Sequence, residues 1–256
     1  SDPALTETRM PRPHARARTS SIQPAGFATR ALGLVASVLA ISLSACAHPA
    51  MQSEPAPLAS DRPNFSSGTS IAQVGHPLLE AGMSQTWAGS ARQLVIGEPT
   101  LRVGVTPRAE LRITAPSFVS ARAGGFKEDG LGDAALGAKI RLFETPEGAS
   151  RIHPEIAVLA GVGLPTGSEA FGTDRALLSS ALIASWSLSD RVGLGGNLIW
   201  AQADVGGSSA DTYAAVAGLS FTHTDRLGTF VELYSTRGPG SDWDPAFGQY
   251  GVTWLW

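Results

Sequence analysis

Side chains alternate in character along residues 132–143, which read GDAALGAKIRLF. Apolar residues occupy every second position from Ala134 to Leu142, whereas Asp133, Lys139 and Arg141 fall between them. Because successive side chains of a β-strand point to opposite sides, this pattern predicts a strand with one face suited to lipid and the other to water. A helix would instead need apolar positions three and four residues apart.

The same alternation recurs along the chain on both sides of this stretch. In residues 109–115, Leu111 and Ile113 oppose Glu110 and Arg112. Later segments carry less charge but keep the two-residue period, and they are rich in Gly, Ser, Thr and Val, which suit strands better than helices. About ten strands are predicted between residue 77 and the last residue of the sequence, which indicates an all-β, antiparallel fold.

The segments between the predicted strands differ in length. Three tight turns are predicted near Pro107, Asp190 and Asp225, with a longer one at residues 146–151. Four looser, glycine-rich loops are predicted at residues 121–129, 165–175, 204–211 and 238–245. Short turns on one side and long loops on the other are typical of an outer-membrane β-barrel. A soluble sandwich would carry bulkier inward residues and a more charged outer face.

The overall composition excludes several classes of protein. Charged residues make up 16% of the chain, below the roughly 25% of soluble domains. With a net charge of -3 and only two lysines, the chain has no basic stripe for nucleic acid. Its single cysteine, Cys46, rules out an internal disulfide framework and a cysteine-rich metal site. After Cys46 no apolar run is long enough for a membrane-spanning helix, so membrane entry would need strands.

The N-terminal residues resemble an export signal. Arginines at positions 12, 16, 18 and 30 precede an apolar stretch at residues 31–43. Two interpretations remain open at its end: cleavage at the small residues 45–47, or a lipobox at residues 43–46 that would make Cys46 a lipidation site. The predicted organisation is an extension and signal at residues 1–47, an extended lead-in at 48–75 and a β-barrel at 76–256. We expect location in the outer membrane of a Gram-negative bacterium.

If the apolar faces point outward, charged residues of both signs point into the lumen of the barrel. They could line a water-filled path, or they could neutralise one another inside a narrow barrel. The predicted lumen-lining residues are Glu80, Glu98, Arg102, Glu110, Arg112, Asp133, Lys139, Arg141, Glu155 and Glu232.

Several blocks of sequence resemble a known family. They are residues 61–65 (DRPNF), 79–82 (LEAG), 99–104 (PTLRVG), 130–133 (GLGD) and 163–168 (GLPTGS). In order and spacing they are similar to the family named for the MetA pathway of phenol degradation. The resemblance implies a twelve-stranded outer-membrane barrel involved in the uptake of hydrophobic or aromatic compounds. Either the chain is a ten-strand variant, or it is truncated at its C-terminus and the complete barrel is expected to have twelve strands.

Three functions are consistent with this sequence. The first is a channel or transporter that passes small molecules through a polar lumen and needs no cofactor; its partners would be outer-membrane lipids, the permeant and the barrel-assembly machinery. The second is a structural or adhesive barrel with ligand-binding loops at residues 165–175 and 238–245. An enzyme is disfavoured because His76, His153 and His223 have no neighbouring serine or carboxylate pattern typical of a catalytic triad.

Overall fold

A computed structural model of the chain describes residues 61, 66–146, 150–244 and 246–254. These residues form strands joined by turns and loops. The twelve strands are β1 (Leu78–Ala88), β2 (Ala91–Thr106), β3 (Ala109–Thr114), β4 (Phe118–Ala123), β5 (Phe126–Leu131), β6 (Ala134–Phe143), β7 (Glu155–Leu164), β8 (Leu177–Ser187), β9 (Val192–Val205), β10 (Ser208–Thr222), β11 (Leu227–Arg237) and β12 (Phe247–Trp254). Within the described ranges no helix is long and apolar enough to cross a membrane.

All twelve strands belong to one antiparallel sheet, which confirms the predicted all-β, antiparallel fold. From β12 to β6 each strand pairs with the next along the chain, and β6 then pairs with β3. β1 pairs with one side of β2. On the other side of β2, β3 and β4 pair with successive parts of the strand, so together they form one interrupted strand. β6 and β5 form a second interrupted strand, because they pair with β3 and β4 in turn. The twelve strands therefore occupy ten positions in the sheet. The number of strands is two more than the ten expected from sequence, whereas the number of positions agrees with it.

The interruption between β3 and β4 has a local cause in the backbone. Residues 115–117 leave the sheet opposite residues 97–99 of β2. There the backbone of Glu98 has a φ of 41°, a left-handed conformation that side chains other than glycine rarely adopt. The bulge shifts the register of β2 against β1, and it lies between the part of β2 that pairs with β3 and the part that pairs with β4.

The turns agree with the sequence in part. The tight turns near Pro107, Asp190 and Asp225 join β2 to β3, β8 to β9 and β10 to β11, as predicted. The prediction of long loops at residues 121–129 and 204–211 was wrong. Both are two-residue hairpins at glycine pairs, 124–125 and 206–207, whose φ values lie between 56° and 86°. Two consecutive residues with positive φ match the twist of the flanking strands, so these strands run on to a tight turn.

The two faces of the sheet differ in what covers them. Asp61 and residues 66–73, which we call the strap, lie against one face, here the strap face. This described part of the predicted lead-in crosses the sheet from β2 to β11. On the opposite face large apolar side chains are exposed, including Met83 at 71% and Leu198 at 62%. Cys46 and the predicted signal lie outside the described residues.

Candidate functional site

Charged side chains of neighbouring strands meet on the strap face. Glu80 of β1, Arg102 of β2, Glu110 of β3 and Lys139 of β6 are all at most 6% exposed. The alternation places them there, because Arg102 pairs with Arg112 across β2 and β3, and Glu110 pairs with Lys139 across β3 and β6. Five of the predicted lumen-lining residues are thus brought into one cluster.

Arg102 is the centre of the hydrogen bonds among these strands. Its guanidinium donates two hydrogen bonds to the Glu110 carboxylate, from Nε and Nη2, each at 3.0 Å. Nη1 donates to Glu80 Oε1 at 2.9 Å. Two parallel N–H groups that match a carboxylate fix both side chains in one orientation. Arg112 also donates to Glu110, from Nε at 2.8 Å, so Glu110 is held by two arginines.

Asp61 of the strap completes the cluster. Its carboxylate accepts hydrogen bonds from Arg112 and from Lys139 Nζ, the latter at 2.8 Å. The Lys139 ammonium also donates to the backbone carbonyls of Gly68 at 2.7 Å and Ser70 at 3.1 Å, so all three of its protons are used on the strap. Three cations (Arg102, Arg112, Lys139) and three anions (Asp61, Glu80, Glu110) therefore balance in a buried site.

The environment of Asp61 lowers its pKa. Burial alone would raise the pKa, but the positive charges of Lys139, Arg112 and Arg102 outweigh burial and lower it to about 2, from an ordinary value of 3.8. Asp61 is therefore ionised wherever the strap is in place at neutral pH, and its charge contributes to holding the strap on the sheet.

The rest of the strap is held by neutral and singly charged hydrogen bonds. Thr69 Oγ1 donates to Glu155 Oε2 of β7 at 2.7 Å. Ser67 and Asn197 of β9 exchange two hydrogen bonds, from Ser67 N to Asn197 Oδ1 at 2.7 Å and from Asn197 Nδ2 to Ser67 O at 3.0 Å. Ser66 Oγ donates to Glu232 of β11. Two further predicted lumen residues, Glu155 and Glu232, thus also hold the strap.

One glycine permits the close approach of the strap to β2. A Cβ atom on Gly104 would lie 2.0 Å from the carbonyl oxygen of Ala72, well inside the distance at which atoms repel. Next to this point Ala72 N donates to Glu110 Oε2 at 2.6 Å, and Val74 forms a parallel bridge with Gly104. Any larger residue at position 104 would push the strap away.

A cavity of about 360 Å³ lies next to the strap. It is at the tight-turn end of the sheet, which is the end of β7–β11 that carries the turns near Asp190 and Asp225. Small residues leave the space free, among them Ser185, Gly195 and Gly218. The carboxylates of Glu155 and Glu232 line it, with Ser66 and Ser67 on the strap side. In the described part of the chain no group of three or more His, Cys, Asp and Glu residues is placed to hold a metal ion.

Three predicted lumen residues lie away from this cluster. Glu98 occupies the bulge in β2. Asp133 accepts hydrogen bonds from the backbone N–H groups of Thr166, Gly167 and Thr173 at 2.7 to 3.0 Å, so it holds the loop between β7 and β8. Arg141 donates to the carbonyl of Pro107 at 3.2 Å and pairs with Glu144 at 3.1 Å, at the tight-turn end of the sheet.

Sequence reasoning missed the strap as a partner of these strands. Asp61 and Ser67 lie in a stretch without periodicity, so nothing in the pattern indicates which residues they contact. The one available signal was the excess of positive charge on the neighbouring strands: Arg102, Arg112 and Lys139 face only Glu80 and Glu110 there, which calls for a further anion.

Together these features define a class: an all-β protein whose sheet buries a charge cluster and a segment of its own chain on one face and exposes apolar side chains on the other. The chain matches the family described as Putative MetA-pathway of phenol degradation over residues 60–253. It therefore belongs to that family, as the resemblance predicted, and the family's description links it to phenol degradation. The matched range includes the strap and all twelve strands but for the last residue of β12. No curated protein matches the chain.

Proposed function

We propose that this protein is a β-barrel channel of the outer membrane of a Gram-negative bacterium that passes small molecules. One observation carries the proposal: the burial of side chains is inverted relative to a soluble protein. Arg102, Lys139 and Glu110 are among the largest fully buried side chains, whereas Leu79 is 68% and Leu233 is 59% exposed. In a soluble protein both features would destabilise the folded state, because charged groups are normally solvated and large apolar groups are normally buried.

A lipid environment removes this conflict. Exposed leucines of β1, β6, β8, β9 and β11 would contact acyl chains. Hydrocarbon offers no hydrogen bonds to a strand edge, so the proposal requires the sheet to close, with β1 and β12 brought together at its two ends. The strap face then becomes the lumen. Export by the N-terminal signal, insertion by the barrel-assembly machinery and contact with outer-membrane lipids belong to the same proposal.

The route for a permeant would run past the strap. The cavity beside Ser66 and Ser67 offers hydroxyl and carboxylate groups to water, and Phe230 adds an apolar part to its lining. A lumen with both kinds of lining suits small molecules that are partly apolar. Hydrophobic or aromatic compounds remain the class that the family resemblance suggests, and we propose neither catalysis nor nucleic-acid binding.

Conductance in planar bilayers tests the proposal. The full chain, refolded in detergent and added to a bilayer, should give discrete openings. Replacing Arg112 and Arg141 by glutamine should shift ion preference toward cations. The substitutions remove one positive charge from the cluster on the strap face and one from the end of the sheet that carries the turn at Pro107. Arg226→Gln, on an exposed turn, is the matched control and should leave selectivity unchanged. A protein that folds only without detergent would overturn the proposal.

A structural barrel is the second candidate, and the strap favours it. The strap covers the charged part of the strap face. Its hydrogen bonds with Lys139 and Glu110 engage the charges that would otherwise face a permeant. A folded, membrane-inserted protein without any openings, even after the strap is released, would support a structural or adhesive barrel. In that case the loop that Asp133 holds, residues 165–175, becomes the candidate for ligand contact.

A further inference from the structure

Two hairpins place their tips side by side at one end of the sheet. The β1–β2 and β4–β5 hairpins are neighbours because β2 pairs with β4. Near the tips four residues form one cross-strand row, with Trp87 opposite Arg92, Arg92 opposite Arg122, and Arg122 opposite Lys127. Directly paired residues of an antiparallel sheet point to the same side, so one aromatic ring and three cations lie next to each other. We call this set the basic row.

The basic row is unfavourable without a partner. Like charges directly opposite each other destabilise a sheet, and here two such pairs follow one another. Lys127 pairs with Asp129 on its own strand. Within the described residues no ion pair involves Arg92 or Arg122, both of which are exposed; Arg122 interacts with Asp129 only through the longer-range attraction of their charges. An excess of positive charge is thus concentrated around a shallow cleft of about 600 Å³ that Ser90, Gly125 and Phe126 also line.

An apolar row lies on the same side of the sheet. Met83 is opposite Ile96, Ile96 opposite Phe118, and Phe118 opposite Leu131. Each is more than 40% exposed. Four residues along a strand separate the apolar row from the basic row, which corresponds to about 13 Å. The surface therefore changes from apolar to basic toward the hairpin tips, and Trp87 lies at the β1 end of the basic row.

We propose that the basic row binds the phosphorylated headgroup of a membrane lipid whose acyl chains lie against the apolar row. Charge complementarity and the spacing of the two rows both point to an amphipathic anion rather than to a free one. Arginine is suited to phosphate because its planar N–H groups match two oxygens, and tryptophan prefers the level of the headgroups. This inference rests on the proposed membrane location and adds a specific lipid site to it.

Native mass spectrometry of the full chain in a non-ionic detergent tests the site. The probes are bisphosphorylated lipid A, phosphatidylcholine and inorganic phosphate. The unaltered protein should retain lipid A over phosphatidylcholine. The double variant Arg92→Gln/Arg122→Gln should bind lipid A about thirtyfold more weakly, since each basic residue near a membrane contributes about a factor of five. Unchanged affinity in this variant would overturn the proposal, as would equal binding of inorganic phosphate.

The matched control is Arg191→Gln/Arg226→Gln, which removes two exposed arginines from tight turns at the other end of the sheet. It should bind lipid A like the unaltered protein. A second measurement uses the opposing like charges. In non-ionic detergent alone, Arg92→Gln/Arg122→Gln should raise the melting temperature by a few degrees, and lipid A should stabilise it less than the unaltered protein. A lower melting temperature in detergent alone would contradict the unfavourable pairing that motivates the site.

This test separates failure of the site from failure of the proposed function. A chain that does not fold in detergent or insert into bilayers would contradict the membrane location itself. A chain that folds, inserts and conducts, but binds lipid A and phosphatidylcholine equally, would overturn only the lipid site.

Discussion

Two halves of the strap face are buried with different kinds of side chain. On β1, β2, β3 and β6 it is ionic, with Arg102, Glu110 and Lys139 fully buried among oppositely charged partners. On β7, β8 and β9 it is apolar, with Ala157, Ala181 and Ile183 at the centre and Leu159 and Ile199 around them. The ionic half holds the strap through its buried charges, whereas the apolar half contacts the strap at Glu155 and Asn197 and is otherwise packed by the sheet's own side chains. Removing one charged group should therefore cost more than removing one apolar group.

The largest effect is expected from Lys139→Met. The substitution keeps a similar volume but removes the Lys139 donor from the carbonyls of Gly68 and Ser70 and from Asp61, which keeps its hydrogen bond from Arg112. Breaking a buried ion pair from one side costs about 3–5 kcal/mol, measured as the change in free energy of unfolding by urea in detergent. The control is Lys127→Met, whose ion pair with Asp129 is about half exposed and should contribute about 1 kcal/mol or less. Equal losses in the two variants would remove the distinction between the ionic cluster and an ordinary surface pair.

The apolar half is tested by Ile183→Ala. Ile183 is fully buried against Ala157 and Ala181, and truncating a buried isoleucine costs about 2–5 kcal/mol, depending on how far the cavity collapses. We expect about 3 kcal/mol in the same unfolding measurement, with little change in the protection of the strap. Leu182→Ala, whose side chain points to the opposite face and is 47% exposed, is the matched control and should change stability much less.

Gly104→Ala should release the strap while leaving the sheet intact. The added methyl group would collide with the Ala72 carbonyl, and overpacking of this kind costs about 1–3 kcal/mol. Faster hydrogen exchange in residues 66–73 is the expected result, together with larger single-channel conductance if the strap limits it. Gly195→Ala provides the control, because the nearest atom to its added methyl group, Ala184 O, lies at an ordinary contact distance of 4.0 Å. A strap equally protected in both variants would show that it is not held at Gly104.

Acid should weaken the ionic half more than the apolar half. The pKa of Asp61 is about 2 in the folded chain and 3.8 in its ordinary state, so its contribution is fully present above about pH 5 and is progressively lost as the pH falls through 2. This contribution to the free energy of unfolding is about 2 kcal/mol, because a shift of one pKa unit corresponds to about 1.4 kcal/mol. Asp61→Asn should be less stable than the unaltered protein at pH 5, and this difference should shrink by pH 2. A difference that stays constant over this range would mean that Asp61 does not titrate with folding.

Sequence patterns predicted the ionic half well and the apolar half poorly. Glu110, Arg112 and Lys139 stand out because each alternates with apolar neighbours, and the period of two fixes the face they share. Along β7 and β8, after Glu155, small and apolar residues occupy both faces, so alternation there identifies no further charged inward residue, and the apolar cluster at Ala157 and Ile183 was not expected. The hairpins at residues 124–125 and 206–207 were mistaken for loops because glycine-rich sequence is typical of both.

The strap could not be assigned from sequence for a different reason. Its contacts are specific, but they join residues far apart in the chain, such as Ser67 with Asn197, and no local periodicity records them. The same holds for Asp133, whose charge predicts a polar position but whose partners lie in the loop after β7. Position on a face follows from the chain's own period, whereas the choice of partner depends on the tertiary fold.

The path of the strap also sets the order of assembly. Its contacts with the sheet span 19 residues between Asp61 and Glu80, 78 between Asp61 and Lys139, and 166 between Ser66 and Glu232. Contacts of such sequence separation form slowly, because the intervening chain must be ordered first. The segment that leaves the ribosome before any strand should therefore be the last to settle, and its protection during refolding would report that the eleventh strand is already in place.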